Sequence, residues 1–586
     1  MLRTIVSFFS NFTATLLALF VFFFVLPIAL LVAIGVNSTQ NIDKAPATSD
    51  FSTLVINLSE QIEESGKAQN AFVDYVNGET ILTPRSICAR INKASGDSSN
   101  KAIFICGSFE GLVSTLSYAQ ISELRNALES YVKSGKSIVA YLENPSMRDY
   151  YLVSCATKIY LNPFGSLDFK GIGGNSVFFG NALKKYGIDA TVVKVGKLKS
   201  FGEMFTSDKM SEAVRENYTQ LLDSIWGTIV EKIAKSRKVP VDKLKSIASE
   251  KAMLTSRESL EFKLVDKLAY KDEVIAEMQK LVGKQKFTFA QASIIDYPED
   301  VVINPPSKIA LIYMNGDIVE TATKPDSIDS TTYCKLIRSI RNSKEYSGAV
   351  VRINSGGGSA YASELIRREL ELLAKKMPVV ISIGGTTASG GYWIATAGKE
   401  IVADAESITG SIGVFALMFS AQKFAGDFGI TFDSVKTAPM ADIGTLSRSP
   451  SSLEIERIQK HIDDVYEKFV ELVAKSRKLP LEKVLTFADG RIFSGATAKE
   501  LKLVDSIGGL EYAIERVKKL GAMKNSAIDE LPKRDAFVEL VEKIAPAVGG
   551  EFAKSKFIKS IIETAEKTKE LKSGAYARVP FDFQIK

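Results

Sequence analysis

Apolar residues along the chain follow two alternating periods, one typical of strands and one of helices. Ala349-Val-Val-Arg-Ile353 is a short β-branched run that predicts a buried strand, and Val379-Val-Ile-Ser-Ile383 predicts another. Between them, Ile366, Leu370 and Leu373 recur at helical spacing on one face. A strand, a helix and a strand in this order imply a right-handed crossover between parallel strands. The fold class is therefore predicted to be α/β, with chemistry at the carboxyl ends of the strands.

The chain carries this pattern twice, at an offset that stays between 239 and 242 residues. Tyr150-Tyr151 aligns with Tyr392-Trp393, and Gly187-Ile188 aligns with Gly429-Ile430, both at an offset of 242 residues (392 − 150 and 429 − 187). Two copies of one pattern predict two tandem domains of the same fold. Further matches are Val193-Lys194 with Val435-Lys436, Ala234-Lys-Ser-Arg-Lys238 with Ala474-Lys-Ser-Arg-Lys478, and Leu264-Val-Asp266 with Leu503-Val-Asp505.

The N-terminus has a different pattern, a single long apolar run. From Phe12 to Val36 there are 25 residues without a charge, and about 20 suffice for a helix to cross a bilayer. The run exceeds the ~7–15-residue apolar region of a cleaved signal peptide, so it predicts an uncleaved transmembrane helix. Arg3 precedes the run, and Asp43 and Lys44 are the first charges after it. This asymmetry favours a cytoplasmic N-terminus, with the rest of the protein outside the cytoplasmic membrane.

Breaks in the pattern give the predicted domain boundaries. A polar linker follows the anchor, and the paired prolines of Asn304-Pro-Pro306 separate the repeats because proline stops both helices and central strands. The last segment is rich in lysine, with phenylalanine and isoleucine at helical spacing. The predicted units are a membrane anchor (1–40), a first repeat (50–295), a second repeat (300–525) and a C-terminal helical extension (526–586).

Composition narrows the class of protein only a little. The 586 residues, 24% charged and 46% apolar, can bury ample core for at least two domains. The formal net charge of +6 is dispersed, which argues against nucleic acid as a partner. The four cysteines have no CxxC spacing and no neighbouring histidine, so they predict neither a zinc site nor a disulfide framework. Most of them are expected to be buried thiols inside strands.

Two glycine-rich loops follow the predicted strands of the second repeat. They are Asn354-Ser-Gly-Gly-Gly-Ser359 and Gly384-Gly-Thr-Thr-Ala-Ser-Gly-Gly391. Neither has the Lys-Ser/Thr of a P-loop or the spacing of a dinucleotide fingerprint, which makes nucleotide binding the weaker interpretation. An oxyanion hole and a plain tight turn both stay open, because glycine lets a carbonyl approach backbone N–H groups closely.

Ser389 is the candidate nucleophile, placed between small residues at a strand-to-helix turn. Such a turn can present a hydroxyl without hindrance, although a serine there is more often a helix N-cap. The only histidine, His461, has charged neighbours on a predicted helix and is expected at the surface, so a Ser-His-Asp triad is nearly excluded. A lysine or a carboxylate remains as the base, and a lysine must be neutral to accept a proton. Composition cannot select one of the 74 basic residues.

Three motifs in order resemble the signal peptide peptidase A family, also called protease IV, in its tandem-repeat, membrane-anchored form. They are Asn354-Ser-Gly-Gly-Gly-Ser-Ala-Tyr-Ala-Ser-Glu364, Gly384-Gly-Thr-Thr-Ala-Ser-Gly-Gly-Tyr-Trp393 and Ile408-Thr-Gly-Ser-Ile-Gly413. The resemblance covers residues 50–525 and the anchor. It implies a Clp-protease/crotonase-like fold in each half and a serine peptidase with a Ser/Lys dyad.

The resemblance also assigns site residues. Ser389 matches the nucleophile, Lys199 of the first repeat matches the general base, and Ser411 matches the serine that orients the lysine amine. Gly357 and Gly390 match the oxyanion donors. The family often has Ser-Pro-Gly-Gly where this chain has Ser355-Gly-Gly-Gly358, a change that affects the rigidity of the turn more than its donors. Lys197 lies two residues from Lys199, so the choice between these two lysines depends on the family match alone.

By the same resemblance, the substrates are cleaved signal peptides and other extended chains, no metal or cofactor is needed, and the protein is a homo-oligomer, expected to be a tetramer. Two alternatives remain, a catalytically silent membrane scaffold and a crotonase-like acyl-CoA enzyme. At the repeat offset, Met147 and Phe169 stand where the second copy has Ser389 and Ser411, and Ala441 stands where the first has Lys199. These differences predict one active site per chain, built from both repeats.

Overall fold

The structure is a computed structural model, and it describes residues 52–60, 62–65, 82–107, 115–285, 288–299, 305–322 and 327–533. The predicted anchor lies outside these residues, as does the part of the C-terminal extension after residue 533. Within the described ranges, no helix combines the length and the apolar character needed to span a bilayer.

The first repeat is built on a parallel sheet. In the described part its strands lie in the order β11-β1-β2-β3-β4-β8. The strands of this sheet that follow one another along the chain are joined by helices, as the alternating periods predict. The strands are β1 (Thr53–Asn57), β2 (Ala102–Cys106), β3 (Ser137–Leu142), β4 (Lys158–Leu161), β5 (Ser166–Asp168), β6 (Asp189–Val195), β7 (Met253–Thr255), β8 (Lys267–Leu268), β9 (Lys284–Gln285), β10 (Thr288–Phe289) and β11 (Ala292–Ser293). The helices are α1 (Pro84–Gly96), α2 (Tyr118–Lys133), α3 (Met147–Val153), α4 (Gly180–Lys185), α5 (Glu203–Thr206), α6 (Glu212–Arg237), α7 (Val241–Glu250), α8 (Ser256–Glu261) and α9 (Lys271–Val282).

The second repeat has the same plan. Its sheet runs β20-β18-β16-β15-β12-β22, with β17 paired to β16 and to β21, and in the described part only the β18–β20 pairing is antiparallel. The strands are β12 (Ser307–Asn315), β13 (Asp317–Val319), β14 (Ser327–Asp329), β15 (Tyr346–Ser355), β16 (Val379–Ala388), β17 (Glu400–Ala403), β18 (Ile408–Gly410), β19 (Val414–Ser420), β20 (Ile492–Ser494), β21 (Ser506–Ile507) and β22 (Ser526–Leu531). The helices are α10 (Ser330–Asn342), α11 (Ala360–Ala374), α12 (Gly390–Ala395), α13 (Gln422–Asp427), α14 (Ser452–Arg477), α15 (Leu481–Leu485), α16 (Gly495–Glu500) and α17 (Leu510–Leu520).

Each sheet is buried on both faces, which explains why its central strands read as continuous apolar runs. In the second repeat, Val351 and Ile381 pack with the helices on one face, and Val350 and Val380 pack with Ile514 on the other. The first repeat has its own pair of apolar clusters. Both repeats belong to one compact unit.

Matching contacts confirm that the two halves are copies. The Tyr150 hydroxyl donates to the carbonyl of Leu264, and the Tyr392 hydroxyl donates to the carbonyl of Leu503, each at 2.8 Å. Helices α6 and α14 are both 26 residues long, and each ends at a lysine in the left-handed conformation, Lys238 or Lys478. The repeat read from the sequence is therefore a structural repeat.

One antiparallel ribbon joins the copies. Strand β6 of the first repeat pairs with β19 of the second, from Asp189 opposite Ser420 to Val195 opposite Val414. Because the ribbon ends at Val195, the loop that follows β6 is delivered to the carboxyl edge of the other repeat's sheet. That loop, residues 196–202, carries Lys199 and is called the lysine loop below.

Three details differ from the predictions. Residues 384–388, expected to form a loop, continue β16, because Thr386–Ala388 pair with β18. Residues 526–531, expected to start a helical extension, form β22, which pairs with the edge of β12. The prediction for the cysteines was wrong for three of the four, since Cys106 alone lies in a strand. Cys88 and Cys334 lie in α1 and α10, and Cys155 follows α3; all four are free thiols.

Candidate active site

Ser389 lies at the junction of β16 and α12 in an unusual backbone conformation. Its φ is 53° and its ψ is −118°, a region that costs a non-glycine residue on the order of 1–3 kcal/mol. The backbone is fixed there because the Ser389 N–H donates to Gly410 (2.9 Å) and the Ser389 carbonyl accepts from Trp393 (2.9 Å). Its side chain makes no capping hydrogen bond to α12. Ser389 therefore occupies the N-cap position of α12 without capping the helix through its side chain, and the hydroxyl is free to face another group.

That group is the amine of Lys199. Its Nζ lies 2.7 Å from Ser389 Oγ, 2.9 Å from Ser411 Oγ and 2.9 Å from the Ser411 carbonyl oxygen. The lysine is 4% exposed, and this burial lowers its pKa to about 7, because a charged ammonium loses its hydration. A neutral amine there can donate both hydrogens to Ser411 and accept the Ser389 proton with its lone pair.

The backbone of Ser411 is fixed in the same way as that of Ser389. Its φ is also 53°, and its N–H donates to the carbonyl of Arg491 at 2.7 Å. It follows β18, which pairs with the end of β16 just before Ser389. The two serines are thus fixed by neighbouring strands, and Ser411 offers the lysine amine both a carbonyl and a hydroxyl oxygen.

The two glycines predicted as oxyanion donors lie beside Ser389. A Cβ at Gly357 would lie 2.8 Å from Ser389 Cβ and 3.0 Å from the Gly390 nitrogen, and φ at Gly357 is 114°. No other residue fits this approach. In the structure the Gly357 N–H donates to Ser355 Oγ at 3.1 Å. Sequence reasoning missed Ser355, a buried hydroxyl that holds a predicted oxyanion donor; its place two residues before that donor was the only signal.

The neighbouring Gly356 has open space around it, with nothing within 4 Å of an added Cβ. This is the position where the related motif often has proline. The absence of a proline side chain therefore removes no contact at the Cβ position.

The two remaining basic candidates are placed elsewhere. Lys197 is exposed although it is only two residues from Lys199, and His461 is exposed on α14. In the described part of the chain, no group of three or more His, Cys, Asp or Glu side chains could hold a metal ion.

The positions of the first repeat that correspond to the site are apolar. Met147 is 4% exposed at the start of α3, and Phe169 packs edge-on against Tyr150, with 5.8 Å between the ring centroids. In the second repeat, Ala441 is exposed. Within the described residues, the lysine of the first repeat and the two serines of the second therefore meet at one place, and the equivalent positions of the other copy do not form a second such group.

Comparison with known proteins identifies the family. The description "Peptidase family S49" matches residues 130–285 and 371–524, one segment in each repeat. The chain belongs to peptidase family S49. As a member of that family it is a serine peptidase, which removes the acyl-CoA alternative.

Relatives matched over most of this chain agree with the family. Protease 4 of Salmonella typhi is 33% identical over 429 residues, covering 71% of this chain and 69% of its own. Protease 4 of Haemophilus influenzae is 29% identical over 529 residues, 84% of this chain and 83% of its own. The chloroplastic serine protease SPPA of Arabidopsis thaliana is 29% identical over 436 residues, 72% of this chain and 63% of its own. A solved ClpP1 chain of Listeria monocytogenes covers 35% of this chain and 94% of its own at 16% identity and a TM-score of 0.24, too weak a likeness to argue from.

Proposed function

We propose that this peptidase cleaves peptide bonds with Ser389 as the nucleophile and Lys199 as the general base. The observation that carries the proposal is the 2.7 Å contact between Lys199 Nζ and Ser389 Oγ, made by a buried amine whose pKa is about 7. A base with a pKa near the working pH is both available and strong enough to take the proton.

The first half of the reaction forms an acyl-enzyme. As Ser389 Oγ bonds to the substrate carbonyl carbon, its proton moves to Lys199 Nζ and the carbonyl electron pair moves to oxygen. Gly357 and Gly390 N–H groups stabilise that oxyanion, the former after exchanging its bond to Ser355 Oγ. The carbonyl then re-forms, the C–N bond breaks, and Lys199 gives its proton to the leaving amine.

The second half releases the product. Water attacks the acyl carbon and gives a proton to Lys199, the ester C–O bond breaks, and Lys199 returns the proton to Ser389 Oγ. Ser411 accepts two hydrogen bonds from Lys199 Nζ in both protonation states. The third position on Nζ, a lone pair in the neutral amine and an N–H in the ammonium, is thereby directed at Ser389. One oxyanion donor typically lowers the barrier by ~3–4 kcal/mol.

The proposed substrates are cleaved signal peptides and other extended polypeptides. The relatives include an Enterococcus faecium protein provisionally named a signal peptide peptidase, 30% identical over 266 residues. Aromatic rings of the lysine loop and its neighbours support an apolar substrate, since Phe201 is 56% exposed and packs against Phe415 at 5.3 Å. A Clp-protease/crotonase-like assignment for each α/β half belongs to the same proposal.

Membrane anchoring is part of the proposal and rests on the sequence. The 25 uncharged residues Phe12–Val36 would anchor the protein in the cytoplasmic membrane, with the catalytic part on the extracytoplasmic side. Substrates left in a bilayer would then be close to the enzyme.

A homo-oligomer, expected to be a tetramer, is proposed as well. At the repeat offset, the residues equivalent to β6 are 431–437, and those equivalent to β19 are 172–178. Residues 431–437 are exposed, with Val435 fully so, whereas their copies in β6 are paired. The same ribbon can therefore form between two chains. Val435→Asp is expected to lower the mass measured by light scattering, whereas Phe164→Asp, at a 90% exposed site outside the ribbon, leaves it unchanged.

The test of the chemistry is hydrolysis of a peptide amide and a thioester reporter. We expect Ser389→Ala and Lys199→Ala to lose nearly all turnover, and kcat/KM of the wild type to rise with pH through an ionisation near 7 as the amine loses its proton. Full turnover in either variant would contradict the dyad, and so would a profile whose base titrates near 10, the ordinary lysine value. An inactive wild type would favour the silent scaffold.

A further inference from the structure

Three consecutive residues of the second repeat, Asp489, Gly490 and Arg491, lie between the lysine loop and residues Ser411 and Ile412. We call them the clamp turn. The Asp489 carbonyl accepts from the N–H of Leu198 at 2.7 Å, and the Arg491 carbonyl accepts from the N–H of Ser411 at 2.7 Å. The Gly490 N–H donates to the carbonyl of Ile412 at 2.9 Å. The backbone of one short turn thus binds the residue before Lys199 and the residue that orients it.

The lysine loop touches this turn backbone to backbone. A Cβ on Gly490 would lie 2.4 Å from the Lys199 nitrogen and 2.8 Å from its Cα, and φ at Gly490 is 91°. From the other side, a Cβ on Gly196 would lie 2.8 Å from the Asp489 carbonyl oxygen, and φ there is 103°. Backbone atoms cannot move aside as a flexible side chain can. Both glycines are therefore required for the loop to sit where it does.

Side chains brace the clamp turn from both repeats. The Arg491 guanidinium donates to the two Asp489 carboxylate oxygens at 2.7 and 2.5 Å. Asn217, on α6 of the first repeat, exchanges two hydrogen bonds of 3.0 Å with the backbone of Ile492. The turn is thus fixed relative to both halves of the site.

We infer that the clamp turn positions Lys199 against Ser389 and Ser411. It is a positioning element for the dyad, and the inference rests on the function proposed above. A displacement of about 1 Å at such a contact can cost about 10²-fold in rate. A turn that served only the stability of the repeat interface would affect folding and leave the chemistry of folded molecules unchanged.

The experiment compares Gly490→Ala with Gly135→Ala. Gly135 has a similar φ of 88°, but nothing lies within 4 Å of an added Cβ, so it reports backbone strain without the contact. We expect Gly490→Ala to lower kcat for the reporter about 10²-fold with little change in KM. The ionisation in its pH–rate profile should move upward from about 7, because a displaced loop admits water to the lysine. Gly135→Ala should keep both quantities.

The outcomes separate the two proposals. If Ser389→Ala or Lys199→Ala retains full activity, the proposed function fails. If both are inactive but Gly490→Ala matches Gly135→Ala in kcat and in pH profile, only the clamp turn fails. Should Gly490→Ala not fold, Arg491→Ala decides, since its partly exposed side chain (35%) can be removed without a steric conflict. It is expected to lower kcat about three- to tenfold and to shift the profile upward, and an unchanged kcat and profile would overturn the inference.

Discussion

At the residue scale, the site combines two strained serines with one desolvated lysine. Ser389 and Ser411 both have a φ of 53°, and both are pinned by backbone hydrogen bonds to neighbouring segments. Among the described residues, the contacts of the Lys199 amine are two hydroxyl oxygens and a carbonyl oxygen, so no negative charge offsets the loss of hydration of its ammonium form. The protein therefore holds an amine that is costly to protonate beside the hydroxyl that it is proposed to deprotonate.

This cost makes stability depend on pH in a defined direction. The folded pKa of about 7 lies below the ordinary value of 10.5, so between these limits the unfolded chain holds a proton that the folded chain does not. Raising the pH through that window stabilises the fold by on the order of 1 kcal/mol per pH unit, whereas below about pH 7 the full cost is present. Lys199→Met removes this dependence. We expect the variant to be more stable than the wild type at pH 7, and we expect the difference in melting temperature to shrink between pH 7 and pH 10 in thermal unfolding.

The control is Lys197→Met, at the exposed lysine two residues away, which should track the wild type across the whole range. If the wild type and Lys199→Met keep a constant difference in stability from pH 7 to pH 10, the lysine is not buried as a neutral amine.

At the element scale, the β6–β19 ribbon brings the lysine to the serine. Seven residue pairs join the strands. Helix α5 follows the lysine loop and packs an aromatic ring against the ribbon. Phe205 lies 5.5 Å from Phe419, 6.0 Å from Phe201 and 6.2 Å from Phe179. The rings therefore pack the segment that follows Lys199 against β19.

Phe205→Ala is expected to lower the free energy of unfolding by about 1–3 kcal/mol, less than a fully buried phenylalanine would, and to lower kcat more than it raises KM. The matched control is Phe164→Ala, whose side chain is 90% exposed and should matter little. Denaturant unfolding and reporter kinetics measure both effects. Equal behaviour of the two variants would show that the aromatic cluster does not support the loop.

At the scale of the whole molecule, buried charges join the repeats behind the site. Arg352 of the second repeat is 1% exposed, and it contacts Glu64 (2.6 Å) and Glu123 (2.7 Å) of the first. Burial raises the pKa of the Glu123 carboxyl despite this cation. Burial and the nearby Glu123 raise the pKa of Asp404 well above its ordinary value. At this interface Arg352 thus compensates Glu64 and Glu123, while Lys232 pairs with Glu406 at 2.8 Å.

Arg352→Met should therefore destabilise the protein by about 3–5 kcal/mol, because it leaves buried carboxyl groups without their counter-charge. Arg338→Met breaks the pair with Glu369 at a 52% exposed site and should destabilise the protein far less, because solvent screens the pair. Thermal unfolding compares them. A similar melting temperature for both variants would mean that the buried network contributes no more than a surface pair.

The sequence by itself determined the α/β class, the tandem repeat and the family, because apolar periodicity and glycine-rich motifs are local properties of the chain. It also pointed to Ser389, since a serine between small residues at a strand-to-helix turn is a local signal. Local patterns failed where a partner strand decided the outcome, as in the residues 384–388 that continue β16 and the residues 526–531 that form β22.

The local pattern did not distinguish the two candidate lysines; only the family resemblance favoured Lys199, and the tertiary structure brings it to the serine. Lys197 and Lys199 look alike in sequence, yet the first is exposed and the second has its amine 2.7 Å from Ser389 Oγ, 190 positions away. The pKa of that amine depends on burial, and the clamp turn depends on contacts between two repeats. Neither can be read from one segment, because solvent exclusion and backbone approach are set by parts of the chain that are far apart in sequence.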